Sequence, residues 1–477
     1  MLFGAVDIGT STVKCAVLDE KGTFHWCGRS RIKRAGNPNR QDPEEWWEKV
    51  SFLIREEMPP FLRKELSSLT LTGNMHALLG IDQEGKAVED AVLWSEVDAG
   101  KEAEFLNDHF KKSLLESTGN IATPVFTLPK LLKMKEERPS LYKKSRVFLQ
   151  SKDYILWKLT GKFLTDPSDA SGVLLMDLAR NSWNKELIEE LDLDEEKFPP
   201  IIPSSSIAGK VTLEAAKITG LAPELPIVAG CGDLASAALG SHVDEKTFSL
   251  TLGTAGQLLG AGKDSRKALG GKLFIFAHAD PSLELYLGSV PSGGFSFEFL
   301  SNLASCPIEE FFRLAGKAPI SRDLPLYIPY ILGKGAPSMD YTPNGGFLHI
   351  KGTTTREEMA RGAVCGALFP LYECALLMEE FAGKRENILL QALAARVPAV
   401  RECACALFSQ KKFLGASSEA SLLGAGIIGA VAMGCYKDLP SAMEKMIHKE
   451  EAPPGPKEAQ EEIRHLYNAF LAGKRFF

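Results

Sequence analysis

The chain opens on a short apolar run, residues 2–8 (Leu-Phe-Gly-Ala-Val-Asp-Ile), then Gly9-Thr10-Ser11-Thr12, then a second apolar run over residues 13–18. This pattern predicts strand, tight turn, strand. A further turn at residues 19–22 leads into residues 23–27, so the expectation is a three-stranded antiparallel meander. A dinucleotide-binding domain would begin differently, with strand, glycine turn and helix. Asp42-Pro43-Glu44-Glu45 supplies a cap, a first-turn proline and early acidic residues ahead of Trp46, Trp47, Val50 and Leu53. A helix is predicted from that point. Residues 68–72 and 225–229 read as buried strands, and helical periodicity marks 101–115, 127–137, 184–191, 357–382 and 386–408. A Gly/Ala-rich stretch spans 415–434, and residues 449–460 read as a solvated linker before a short terminal helix.

The opening pattern returns once. Residues 248–261 repeat the strand, Gly-Thr turn and strand, with Gly253-Thr254-Ala255 echoing Gly9-Thr10-Ser11 at an offset of 244 positions. Together with a length of 477 residues, more than one hydrophobic core usually supports, this predicts two domains on one plan. The expected division is 1–245, 246–440 and a terminal segment 441–477. Composition is that of a globular enzyme, and a formal charge of -6 leaves no nucleic-acid footprint. The nine cysteines are scattered through apolar runs and read as reduced core thiols. No basic and apolar leader follows Met1, and no run approaches eighteen uninterrupted apolar residues. The expectation is a cytoplasmic protein with no membrane partner; a homodimer is left open.

Two acidic residues stand where chemistry is plausible. Asp7 ends an apolar strand two residues before Gly9, where a carboxylate is costly unless it is paired or beside a metal; it could equally cap the turn. Asp233 follows the strand 225–229 and Gly230-Cys231-Gly232, so it stands at a strand-to-helix junction, where an N-cap role competes with a catalytic one. Gly230-x-Gly232-x-x-Ala235 also fits the dinucleotide fingerprint as a string, but the acidic residue that should end the next strand is missing. No G-x-x-x-x-G-K-[ST] string occurs.

The chain resembles the FGGY carbohydrate kinases of the actin/hexokinase-like superfamily, and among them the xylulokinases. The likeness rests on ordered strings: Val6-Asp-Ile-Gly-Thr-Ser11, Gln41-Asp-Pro-Glu-Glu-Trp-Trp47, Thr72-Gly-Asn-Met-His76, Leu93-Trp-Ser-Glu96 and Pro124-Val-Phe-Thr-Leu-Pro-Lys130. Lys152-Asp-Tyr154, Thr165-Asp-Pro-Ser-Asp-Ala-Ser-Gly172 and Val228-Ala-Gly-Cys-Gly-Asp233 extend it. The resemblance implies two ribonuclease H-like (actin-like ATPase) α/β domains with an active-site cleft between them. It implies a kinase that phosphorylates a small sugar, a ketopentose such as xylulose, with ATP and Mg²⁺. Asp233 then matches the catalytic base, and Asp7 the metal-linked aspartate. Gly9, Thr10, Ser11 and Lys14 match the first phosphate turn, and Gly253 with Thr254 the second. Met75, His76 and Trp94 match sugar contacts, while Gly415, Ala416 and Glu419 match the adenosine side.

The likeness breaks at residues 392–396, Ala-Leu-Ala-Ala-Arg, where the family carries Gly-Gly-Gly-Ala-Arg. Alanine and leucine side chains in place of a glycine loop predict weakened ATP binding. Two other readings follow from the residues: a catalytically weak or silent sugar-binding member of the family, and a nicotinamide-dependent oxidoreductase built on Gly230-x-Gly232.

Overall fold

The computed structural model describes residues 1–33, 36–263, 265–414, 419–448, 451–452 and 457–477. Strands Leu2–Ile8, Thr12–Asp19 and Phe24–Arg31 form the predicted antiparallel meander. Apart from Leu2, the apolar side chains of the first two are buried, which is why they read as near-continuous hydrophobic runs. Leu2–Ile8 also pairs in parallel with Leu66–Gly73, which pairs in parallel with Pro226–Gly232. Ile207–Lys210 completes a six-stranded sheet. The helix Pro43–Phe52 begins where the capping signal put it, with the Asp42 carboxylate accepting the Glu44 N–H at 2.9 Å.

A second sheet of seven strands is organised around Thr247–Leu252 and Gly256–Gly262, an antiparallel pair whose first strand runs parallel to Asn387–Ala392. Each sheet thus contains a hairpin whose leading strand takes a later strand in parallel. The 244-residue echo is an echo of topology.

Two elements differ from expectation. Residues 386–408 are not one helix: Asn387–Ala392 is a strand of the second sheet, followed by short helices Leu393–Arg396 and Pro398–Leu407. A brief apolar run such as Asn387-Ile-Leu-Leu fits either element by periodicity, and Pro398 permits a helix to start, not to continue. The terminal helix, Lys457–Gly473, is longer than the short one expected and begins inside the predicted linker.

The chain divides into two compact units, one of residues 1–242, 276–284 and 417–448, the other of 243–275, 285–416 and 449–477. The first boundary falls three residues before the expected one, but the units are not contiguous, and 417–448 belongs with the first. The cause is packing. Helix Ala420–Ala432 lies against helix Asp233–Gly240 and against strands Leu2–Ile8 and Leu66–Gly73. Glycines let the two helix backbones touch, since a Cβ on Gly240 would lie 1.9 Å from the Ala420 carbonyl oxygen. The terminal helix instead packs on Pro398–Leu407 and Arg356–Ala382 in the second unit. Arg356–Ala382 is long and apolar enough to cross a membrane by length and composition, yet 72% of its most apolar window is buried inside the protein. That marks it as a core helix.

Candidate functional site

Three parallel strands end level with one another. Register aligns Ile8 with Gly73, and Gly73 with Gly232. Beyond these three positions come Gly9-Thr10-Ser11, Asn74-Met75-His76 and Asp233, so motifs far apart in sequence emerge at one carboxyl edge, where open α/β sheets place ligands. Asn74 ties two of them together, donating both its backbone N–H and its Nδ2 to the Ile8 carbonyl at 2.8 and 2.9 Å.

At the first turn, Gly9 N–H donates to the Thr12 carbonyl at 3.1 Å. The turn is held from outside: Trp46 Nε1 donates to Gln41 Oε1 (2.7 Å), and Gln41 Nε2 donates to the Thr10 carbonyl (2.6 Å). Trp94, 44% exposed, donates its indole N–H to Thr10 Oγ1 at 3.0 Å. The predicted sugar contact and the predicted phosphate turn are therefore neighbours. Lys14, opposite Asp7 in the hairpin, pairs with Glu419 at 2.8 Å, and Arg29 reaches the same carboxylate at 3.2 Å. Both Lys14 and Glu419 were predicted on the nucleotide side. Their ion pair was not. Gly415 and Ala416 lie outside the described residues.

Asp7 is buried, and its Oδ1 has no hydrogen-bond partner among the described residues. Burial pushes its carboxyl up to about 6, with Lys14 pulling down and Glu419 adding to the rise. Asp233 is not the N-cap of helix Asp233–Gly240; Gly232 is. Asp233 occupies the first helical position and accepts the Leu234 N–H at 2.7 Å through Oδ1. Burial, then the charge of Asp7, push it up to about 7, against the lowering pull of the Leu234 N–H. Two neighbouring carboxylates, each raised, mark a site that favours holding a proton or a cation.

His76 takes a left-handed backbone, φ 65°, which costs a non-glycine residue about 1–3 kcal/mol and persists only where surroundings enforce it. They do: Nδ1 lies 2.8 Å from the Gly172 carbonyl, Lys130 Nζ donates to the His76 carbonyl at 3.1 Å, and the ring meets Phe126 edge to face at 5.2 Å. Burial pushes the imidazole down to about 4, so it is neutral. A carbonyl only accepts, so Nδ1 carries the hydrogen and Nε2 is left as an acceptor. Met75 packs against Gly232, where a Cβ would sit 2.6 Å from Met75 Cγ. Gly230 is equally obligatory, with φ 71° and a hypothetical Cβ 1.7 Å from the Leu71 carbonyl oxygen, at a shift of register in the sheet. Packing accounts for the Gly-x-Gly string, and the nicotinamide reading loses its only support.

Sequence reasoning missed the structure beneath this edge. Lys152 Nζ lies 2.6 Å from Asp153, 3.0 Å from Asp166 and 3.1 Å from Asp169, all four side chains without exposure. Burial alone would lower Lys152, but the three carboxylates hold it well above the ordinary lysine value. Burial pushes Asp169 well above the carboxylate range, against the lowering pull of Lys152. A signal existed: Lys152-Asp153 places two charges ahead of the apolar run Tyr154-Ile-Leu-Trp157 in helix Ser151–Thr160, where burial is costly unless they are paired.

In the second unit, Gly253 N–H donates to the Ala255 carbonyl at 3.0 Å, and Gly294 and Phe295 N–H groups donate to the Gly253 and Thr254 carbonyls at 2.7 and 2.9 Å. Ala392, in register with Leu252 just before this turn, has φ 52° and ψ -127°.

The family model of the N-terminal domain of the FGGY family of carbohydrate kinases matches residues 2–240. A xylulose kinase of Staphylococcus xylosus is 29% identical over 385 residues, covering 79% of this chain and 80% of that protein. Two solved structures share the fold across the chain. A gluconate kinase from Lactobacillus acidophilus superposes with a TM-score of 0.91 at 21% identity, covering 100% of this chain and 98% of that one. A xylulose kinase from Rhodospirillum rubrum gives 0.88 at 21%, with the same coverage.

Proposed function

Because this chain belongs to the FGGY family of carbohydrate kinases, we propose that it transfers the γ-phosphoryl group of ATP to a hydroxyl of a ketopentose, xylulose foremost, with Asp233 as general base. The observation that carries the reading is the convergence of Asp7, the Gly9-Thr10 turn, Met75-His76 and Asp233 on one edge of three parallel strands. The xylulose kinases among its relatives support the choice of sugar.

In this reading His76 Nε2 accepts a hydrogen bond from a sugar hydroxyl, its tautomer being set by Gly172. Asp233 takes the proton of the attacking hydroxyl; a carboxyl pushed up to about 7 is ionised in a substantial fraction at neutral pH and basic enough for the transfer. The Thr10 N–H, and separately the Thr254 N–H, donate to phosphate oxygens, while the Gly9 and Gly253 N–H groups close their turns on Thr12 and Ala255. Among the described residues no group of three His, Cys, Asp or Glu side chains could cage a metal. The unpartnered Asp7 Oδ1 does fit Mg²⁺ of the kind that takes one protein carboxylate and draws its other ligands from phosphates and water. Bound there, the ion would neutralise phosphate charge.

The test is Asp233→Asn assayed by ADP release with xylulose. General-base loss costs roughly 10²–10⁴ in rate, so kcat should fall at least about a hundredfold with sugar KM little changed. In the wild type, kcat/KM should drop about tenfold per pH unit below about 7, where Asp233 becomes protonated. Retained activity in Asp233→Asn returns this residue to a structural role in its helix.

A further inference from the structure

The short helix Pro167–Ser171 touches two parts of the proposed site. At its end the Gly172 carbonyl accepts the His76 Nδ1 hydrogen at 2.8 Å. Near its start, the Ser168 hydroxyl lies 2.7 Å from Asp166 Oδ2 and 2.8 Å from the Gly232 backbone nitrogen. The directions are fixed by chemistry. A backbone N–H only donates, so Gly232 donates to Ser168 Oγ, and the single hydroxyl hydrogen goes to the Asp166 carboxylate. Asp166 is fixed in turn by Lys152 at 3.0 Å on Oδ1 and by the Ser204 hydroxyl at 2.9 Å on Oδ2. An unbroken chain of buried polar contacts runs from an internal ammonium to the Cys231–Gly232 peptide, one residue before Asp233.

We propose that Ser168 is a positioning residue for the base: it holds the end of strand Pro226–Gly232 so that the Asp233 carboxylate leaves the helix start in a reactive direction. This rests on the reading of Asp233 as the base. The backbone there has little other latitude, since Gly232 is wedged against Met75, and Asp169 Oδ1 sits 3.0 Å from where its Cβ would be. Ser168 is fully buried, so it acts through Gly232 and not by touching the sugar.

The experiment is a double-mutant cycle on the intact enzyme, with kcat, both KM values and the thermal midpoint measured for Ser168→Ala, Asp233→Asn and the pair. Misplacing a reacting group by about 1 Å can cost a hundredfold, so Ser168→Ala should lower kcat roughly 10- to 100-fold, with sugar and ATP KM within about twofold. In the Asp233→Asn background the same change should cost less than about twofold, because no base remains to be positioned. Ser204→Ala is the control. It removes a comparable hydrogen bond to Asp166 without touching Gly232, and should leave kcat within about twofold. If Ser168→Ala does not fold, Ser168→Cys, whose sulfur is a weak acceptor, carries the same expectation at smaller size. Losses that multiply in the double variant, or a Ser204→Ala loss equal to that of Ser168→Ala, overturn the positioning role alone. Full activity in Asp233→Asn overturns the base assignment and this proposal with it.

Discussion

Ala392→Gly should make the protein more stable, although it removes atoms from the end of a sheet strand. Ala392 has φ 52° and ψ -127°, a backbone region that glycine enters freely and that costs an L-residue about 1–3 kcal/mol. Glycine gives part of this back through the greater freedom of the unfolded chain, about 0.5–1 kcal/mol. The net expectation is about 0–2 kcal/mol of stabilisation, which for a unit of this size raises the midpoint by up to about 8 °C. The two neighbouring positions behave oppositely. Ala394 is fully buried, so glycine there leaves a methyl-sized void, and Leu393 begins a helical turn, where glycine costs about 1 kcal/mol. Ala392→Gly should therefore be more stable than the triple glycine variant of 392, 393 and 394. Thermal and urea unfolding of the three proteins provide the assay, alongside ATP titration with sugar present. ATP affinity should change less than about twofold in Ala392→Gly, because the backbone already has the shape glycine would give it. A lower midpoint for the single variant would refute the reasoning by showing that residue 392 does not hold this conformation in solution.

Three further outcomes are expected. Asp233→Asn should raise the thermal midpoint at pH 8 and change it little at pH 4: the native carboxyl keeps its proton up to about 7 while the unfolded one loses it near 4, so wild-type stability falls with rising pH across that window. His76→Ala should weaken sugar binding by roughly 1–3 kcal/mol in calorimetry and leave ATP binding nearly intact, since the change strands polar partners on the sugar side alone. Lys152→Met should destabilise the protein by about 3–5 kcal/mol in urea unfolding, because it leaves three buried carboxyls around no counter-charge.

Much of the site was legible because its residues lie at the ends of apolar strands, where pattern and chemistry coincide. Asp7 and Asp233 stand out against buried runs, and the hairpin turns announce themselves through Gly-Thr. The Lys152 cluster was harder to see, since Asp166 and Asp169 lie beyond the turn that follows helix Ser151–Thr160 and only the Lys152-Asp153 pair stands out locally. Only the fold brings Ser151–Thr160 against Pro167–Ser171. The strand Asn387–Ala392 differs from the expected helix for a related reason: a six-residue segment with an Ile-Leu-Leu centre carries no period long enough to separate strand from helix. Nor could local sequence show that 417–448 returns to the first unit, because what joins them is a contact between helices almost two hundred residues apart.

The duplicated topology shows where residue 392 stands. In the first unit Ile8 is in register with Gly73, and in the second Leu252, its counterpart at the 244-residue offset, is in register with Ala392. The two positions are equivalent by strand order: each closes the parallel neighbour of the leading hairpin strand, immediately beside a Gly-Thr turn. Glycine at 73 meets the crowding there without a side chain, a Cβ in that place lying 2.7 Å from Ser151 Oγ. Gly73 does so without a positive φ, whereas Ala392 turns at φ 52°. The equivalence is thus one of strand order and not of local backbone: the turn from Ala392 into helix Leu393–Arg396 takes a conformation that favours glycine, and alanine holds it at a cost.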